Sequence, residues 1–223
     1  AFGGEINRDS ISTEGIEKID TKDIDYANKL GFEIKLLAFS ERNHINNKDS
    51  LSLNIWVAPS LIPKSHPLAT VGGVNNAILI DASPLGEIML YGPGAGSGPT
   101  AASVVSDILT LHASLSKNIP SIDPLLSSNY WRECHVIDSN HISKKNYLRI
   151  ICLDTPGVIG KIGDLFGKND VSIESIVQLD ASKNKAEIIV ITHEVSNGKF
   201  EKSKREINAL SEVELIASQL SCI

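Results

Sequence analysis

Cysteine, methionine and aromatic residues are scarce in this chain, and no long hydrophobic run interrupts it. The three cysteines, Cys134, Cys152 and Cys222, are too few and too irregularly spaced for a disulfide framework or a four-ligand zinc site, which points to a reducing, cytoplasmic compartment. His135 and His141 lie beside Cys134 without a helical or knuckle spacing, so these three read as ordinary loop residues and no metal is expected. No apolar run approaches the length of a membrane span and no basic-then-apolar signal opens the chain, so no membrane partner is expected. A net charge of -6 without a basic patch argues against a nucleic-acid surface. The one basic cluster, KFEKSKRE, is interleaved with glutamates and reads as the solvated face of a helix, with Glu201 and Arg205 four apart. An initiator methionine is also lacking. The chain opens AFGGEI, which reads as a cut, with essential parts expected upstream of Ala1.

What is present is a globular composition, 42% apolar and 22% charged over 223 residues, long enough for two domains. The first half alternates helix-like and strand-like segments. STEGIEKI is a short strand candidate. DTKDIDYANKLG carries the marks of a helix, with Asp20 or Thr21 as cap, Ile24, Ala27 and Leu30 on one face and Gly31 as a stop. FEIKLLAFS and SLNIWVAPS read as a hairpin across ERNHINNKDS, and NNAILIDA and GEIMLYG as a second pair across SPLG. LIPKSHPLATVGG between them reads as an ordered loop. From Ser116 to Lys145 the periodicity fails, which predicts a linker. Its Ser-, Asn- and His-rich composition argues for a loose docking of the C-terminal segment. That segment carries the pattern β-α-β-β-α-β, the ferredoxin-like split unit, with a four-stranded antiparallel sheet and two helices on one face.

Two turns carry chemistry. YGPGAGSGPTAASVVSDIL joins a strand to a helix marked by Ala101, Val104, Val105, Ile108 and Leu111. Gly98 or Ser97 can cap that helix and Pro99 suits its first position. Free backbone N–H groups there suit a polar or anionic ligand. The glycines at 92, 94, 96 and 98 nevertheless fit neither the dinucleotide nor the lysine-containing phosphate-loop spacing, and a turn needed for close packing accounts for them equally well. In LDTPGVIGKIGDLF, Thr155 is placed as N-cap, Pro156 as first helical residue, and Gly157 admits close backbone approach. A small zwitterion could set its carboxylate on the helix N-terminus and its ammonium on Asp154, although capping alone also explains these residues.

The stretch YLRIICLDTPGVIGKIGDLFGKNDVSIESIVQ resembles an ACT domain, the regulatory module of amino-acid biosynthetic enzymes, and the resemblance runs from Lys145 to the C-terminus. It implies edge-to-edge sheet pairing and an amino acid bound near Asp154, Gly157, Val158 and Ile159, with Gln178 a further candidate. DIDYANKLGFEIKLLAFS, PSLIPKSHPLATVGGVNNAILI and GEIMLYGPGAGSGPTAASVVSDIL together resemble the catalytic region of homoserine dehydrogenase.

The expected fold class is therefore α/β (α+β): a mixed-sheet substrate and dimerisation domain over 1–115, a linker over 116–144 and a ferredoxin-like βαββαβ ACT domain over 145–223. The resemblance implies NAD(P)-dependent interconversion of L-homoserine and aspartate semialdehyde, and a nucleotide-binding domain upstream. It further implies that Gly94, Ala95, Gly96 and Thr100 approach the nicotinamide end of the NADP or NAD cofactor. The expected partners are further copies of the chain, in a homodimer or higher homo-oligomer, and an amino-acid effector, threonine. The family's catalytic lysine and aspartate fall before AFGGEI, so no residue of this chain takes their role. Lys35, on a strand between Ile34 and Leu36, reads as a sheet-face lysine and His66 as a loop residue. Two other readings stand beside this one: a non-catalytic amino-acid sensor and dimerisation module, and an independent phosphate loop.

Overall fold

The computed structural model describes residues 2, 4–43, 51–116, 132–179 and 184–223. In chain order the first elements are β1 (Gly4–Glu5), a 3-10 turn (Arg8–Ser10), β2 (Ser12–Thr13), α1 (Thr21–Lys29), β3 (Phe32–Asn43) and β4 (Leu51–Pro63). A 3-10 turn (Pro67–Thr70), β5 (Asn75–Ala82), β6 (Gly86–Pro93), α2 (Ser97–Ser116) and β7 (Arg132–Val136) come next. After a 3-10 turn (Ser139–His141) come β8 (Ser143–Leu153), α3 (Val158–Lys168), β9 (Ile173–Leu179), β10 (Lys185–Thr192), β11 (Val195–Ser196), α4 (Asn197–Asn208) and β12 (Val213–Cys222). They fall into two compact units, one of residues 1–5 and 65–133, the other of residues 6–64 and 134–223.

The smaller unit is built on the β5–β6 hairpin, paired antiparallel from Asn75↔Pro93 to Ala82↔Gly86. One hairpin face sets Ile78 opposite Leu90 and Ile80 opposite Ile88, and Ile78, Ile80 and Leu90 are exposed. Val104, Val105, Ile108, Leu109 and Leu111 of α2 are exposed too. PLAT, expected as loop, closes a 3-10 turn because the His66 side chain caps it, Nδ1 accepting the Leu68 N–H at 3.2 Å.

In the larger unit β4 is paired along both edges. One edge pairs antiparallel with β3 from Phe32↔Pro63 to Asn43↔Ser52. The other takes three short parallel partners in succession: β7 at Leu51–Leu53, β2 at Trp56 and Val57, and β12 at Ser60 and Leu61. The sheet continues through β12 to β8, β10 and β9, all antiparallel. This last group is the split β-α-β-β-α-β unit with its helices on one face. Leu148, Ile150, Cys152, Ile188 and Val190 pack there against Ile162 and Phe166 of α3 and Phe200 and Ile207 of α4, all of them buried. Burial of each such aromatic or aliphatic side chain stabilises by roughly 1.5–3 kcal/mol.

The opposite face of the same strands is also covered. Tyr147, Ile189, Ile191, Leu220 and Cys222 form a second core with Tyr26 and Ala27 of α1 and Leu61 of β4. The helix α1 begins as expected, Asp20 and Asp23 forming a reciprocal capping box, and Ala27 and Leu30 of the expected face pack into this core, but Ile24 does not. Ile24 is 46% exposed while Asp23, Tyr26 and Ala27 are buried. This orientation brings the Asp23 carboxylate to a buried cation, Arg149.

Other expectations also shift. Of STEGIEKI only Ser12–Thr13 is strand. Cys134 and His135, expected as loop residues within a linker, belong to β7, whose pairing with β4 holds them in the sheet. The loose docking inferred from composition is not observed: β12 hydrogen-bonds to β4 and α1 shares a core with β8, β10 and β12. Glu201 does not pair with Arg205. Its carboxylate goes to Lys204 at 2.5 Å and to Gln219 at 3.1 Å.

Candidate functional site

Strand β8 ends at Leu153, and the chain turns through Asp154–Gly157 before α3 starts at Val158. The N-cap is Gly157 rather than Thr155, and Pro156 precedes the helix. Gly157 has φ +92°, a left-handed conformation that glycine adopts without the Cβ penalty, and no side chain caps the helix. The turn is fixed by its own backbone, Asp154 N–H donating to the Asn184 carbonyl at 3.0 Å and Thr155 N–H to the Leu153 carbonyl at 3.0 Å. Among the described residues the N–H groups of Gly157, Ile159 and Gly160 have no protein acceptor. They make the positive end of α3, where an anionic group is favoured.

The expected effector residues come together here. Asp154, Gly157, Val158, Ile159 and Gln178 all border one open hollow of about 420 Å³. Gln178 Nε2 donates to Asp154 Oδ1 at 3.0 Å, so the end of β9 orients the carboxylate that follows β8. Val158 is buried beneath the turn, whereas Leu153 and Ile159 leave an apolar rim 44% and 38% exposed. Cys152 behind it is buried, and burial, with the Asp154 charge, pushes its thiol up. The site thus offers N–H donors, a held carboxylate and an apolar lip, which is the complement of a small zwitterion with a short side chain.

The glycine turn of the smaller unit is placed by the hairpin, Gly94 N–H donating to the Val74 carbonyl at 3.0 Å. The helix α2 opens earlier than the capping pattern predicts, with Ser97 and Gly98 as its first residues and Pro99 its third. Gly96 has φ +129°, and a Cβ at Gly94 would stand 1.5 Å from Asn76 Nδ2. Thr100 N–H closes the first turn on the Gly96 carbonyl at 3.1 Å. Gly94, Ala95, Gly96 and Thr100 therefore share one exposed loop at a helix start, where Ser97 and Gly98 N–H groups lack acceptors among the described residues. Free N–H groups at a helix start suit a polar or anionic group. Lys35 stands on β3 opposite Ser60, in the other unit.

Sequence reasoning missed a buried ion network in the larger unit. Arg149 on β8, 3% exposed, reaches Asp23 of α1 through Nε at 2.7 Å and a second guanidinium N–H at 3.2 Å, and Glu187 of β10 at 3.4 Å. Asp23 also accepts from Ser218 Oγ at 2.6 Å and Tyr147 OH at 3.2 Å, and Glu187 from Tyr26 OH at 3.0 Å and from Lys22. Burial alone would push the Arg149 guanidinium down, but the hydrogen bonds and charge of Asp23 override it and hold it above its ordinary value. Burial likewise opposes the Glu187 charge, and the Lys22 and Tyr26 hydrogen bonds outweigh it, holding the carboxyl low. The signal lay in an arginine inside the apolar run YLRIICL.

Comparison with known proteins places these features. The family model described as homoserine dehydrogenase matches residues 1–109, and the one described as ACT domain matches residues 146–212. A homoserine dehydrogenase of Synechocystis sp. is 43% identical over 219 residues, 97% of this chain and 50% of the relative. One of Neisseria gonorrhoeae is 34% identical over 219 residues, 96% of this chain and 48% of the relative. The crystal structure of a homoserine dehydrogenase from Thiobacillus denitrificans matches with a TM-score of 0.87 at 27% identity, over 100% of this chain and 49% of its own. The chain spans about half the length of the curated relatives it matches.

Proposed function

Because the chain belongs to the homoserine dehydrogenase family and carries an ACT domain, we propose that it forms the substrate-side and regulatory part of an NAD(P)-dependent homoserine dehydrogenase. The reaction is the interconversion of L-homoserine and L-aspartate 4-semialdehyde, in a cytoplasmic enzyme under amino-acid feedback. The observation that carries this reading is the succession, on one chain, of the dehydrogenase match and an ACT match whose turn presents free N–H groups beside Asp154.

The nicotinamide supplies or accepts the hydride when bound. The part of this chain is to border that end of the cofactor with Gly94, Ala95, Gly96 and Thr100, where bulk at residue 94 would displace Asn76. At the regulatory turn, Ile159 and Gly160 N–H groups receive the carboxylate of the effector, Asp154 held by Gln178 receives its ammonium, and Val158 and Ile159 border its side chain. Threonine, with a short side chain bearing one methyl, suits that lip. A homodimer belongs to the same proposal, supported by the uncovered hairpin face of Ile78, Ile80 and Leu90. The alternative, a sensor without catalysis, rests on the same turn and differs in lacking turnover.

Calorimetric titration of the chain with threonine, against homoserine, methionine and serine, tests the regulatory part. Saturable threonine binding that Asp154→Ala abolishes and Gly98→Ala leaves intact is expected; absence of binding removes the effector assignment. In a protein that joins this chain to a nucleotide-binding domain, homoserine-dependent reduction of NAD(P)+ is expected, and its absence favours the sensor.

A further inference from the structure

We propose that the larger unit carries a small-molecule site separate from the Asp154 turn: a hollow beside β12 that takes an aliphatic α-amino acid. The hollow arises where the sheet is incomplete. Pairing of β12 with β8 slips between Ile216 and Ser218, leaving Ala217 as a bulge. Along its other edge β12 meets β4 only at Ser221 and Cys222, so among the described residues the stretch before Ser221 has no strand partner there. The segment after β2, from Glu14 to Ile19, and the end of α4 close the gap to a space of about 390 Å³. That is within the range of small-ligand sites, roughly 300–1,000 Å³.

The lining decides the ligand class. Ile19, Ile216 and Leu220 make an apolar wall. Arg205, Lys18 and Glu14 supply charge at the rim. Lys204 is already engaged, by Glu201 at 2.5 Å and by Gln219 Oε1 at 2.7 Å. Because Glu201 is turned that way, Arg205 has no ion-pair partner among the described residues, and Lys18 reaches Glu14 only at 4.0 Å. A guanidinium without a carboxylate, a carboxylate on the same rim and an apolar wall beside them are the complement of a zwitterion with a hydrocarbon side chain. A phosphate would meet the Glu14 charge, and a peptide adding to the β12 edge would run into β4 at Ser221. This hollow and the one at the Asp154 turn have no lining residue in common.

Titration calorimetry of this chain with leucine, isoleucine and valine, repeated in the Asp154→Ala background, tests the site. Saturable binding of at least one of them is expected in both backgrounds. Arg205→Ala is expected to weaken it about ten- to hundredfold, the range for loss of a charge-assisted hydrogen bond. Asn208→Trp, which fills the hollow from an exposed helix position, is expected to abolish it. Both positions are exposed, so unchanged circular dichroism of the variants confirms that folding is not the cause. No binding in either background, binding lost with Asp154→Ala alone, or binding indifferent to Arg205→Ala and Asn208→Trp overturns the site. Equal binding of 4-methyl-2-oxopentanoate, which lacks the ammonium group, overturns the role of Glu14 and with it the amino-acid class.

Discussion

Replacing Arg149 by methionine tests the network that holds α1 to the sheet. Arg149 gives Asp23 two guanidinium hydrogen bonds, at 2.7 and 3.2 Å, and Glu187 a weaker one at 3.4 Å. Asp23 is wholly buried, and without the guanidinium it keeps only neutral donors: Ser218 Oγ, Tyr147 OH and the Asp20 N–H. Removing one member of a buried ion pair costs about 3–5 kcal/mol, and the three remaining donors put Arg149→Met near the lower end, about 3 kcal/mol. Glu187 adds little because Lys22 and Tyr26 stay with it. Removing both charges, Asp23→Leu with Arg149→Met, leaves no stranded ion, so the double variant is expected to lose less than the sum of the singles by about 2 kcal/mol. Urea unfolding at neutral pH, followed by far-ultraviolet circular dichroism for the four proteins of the cycle, measures this. A loss under about 1 kcal/mol for Arg149→Met, or strict additivity, would refute the reasoning.

The same structure sets three further outcomes. Glu187 is held below its ordinary value of 4.5, so its contribution is present above that value and lost as pH falls through the lower folded value; urea midpoints between neutral pH and about pH 3 should therefore slope less in Glu187→Gln than in the parent. Gly157→Ala adds a Cβ in open space but forces φ +92° on alanine, so a loss of about 1–2 kcal/mol in unfolding free energy is expected without any clash. Phe166→Ala removes a fully buried ring from the core between α3 and β8, and about 3–5 kcal/mol should disappear from the same measurement.

The split β-α-β-β-α-β unit was legible because its signals are local: apolar strand runs, a Gly-Val-Ile helix start, and Phe200 and Ile207 at helical spacing. That Asp154 to Ile159 lie together was legible for the same reason, the stretch being one turn, and only the Gln178 to Asp154 hydrogen bond needed the fold. What failed was mostly non-local. Thr155 gave up the cap because Gly157, in the left-handed region, starts α3 two residues on. The helix α1 turned Ile24 outward because a carboxylate three residues after the cap finds a partner 126 positions away. Cys134 and His135 joined the sheet because β4 had an edge left to pair, which the periodicity of residues 132–136 alone does not reveal.

One sequence signal did ask for this arrangement. The strands YLRIICL and AEIIVIT are apolar at nearly every position, whereas a sheet with two helices on one face and water on the other should alternate. Alternate residues do divide between two cores: Leu148, Ile150 and Cys152 face α3 and α4, while Tyr147 faces α1, and in β10 Ile188 and Val190 oppose Ile189 and Ile191. The polar exceptions, Arg149 and Glu187, fall on the α1 side, and there they meet Asp23, Lys22 and Tyr26. Strand β8 ends and β10 begins at the Asp154 turn, with Cys152, Ala186 and Ile188 lining its hollow. The backbone of the Asp154 turn is thus the backbone whose other face carries α1, and the hollow at the turn and the Glu187 and Arg149 network lie on the same two strands. The ACT domain is thus joined to α1 and β4 through a shared sheet and a shared core, not through the chain connection alone.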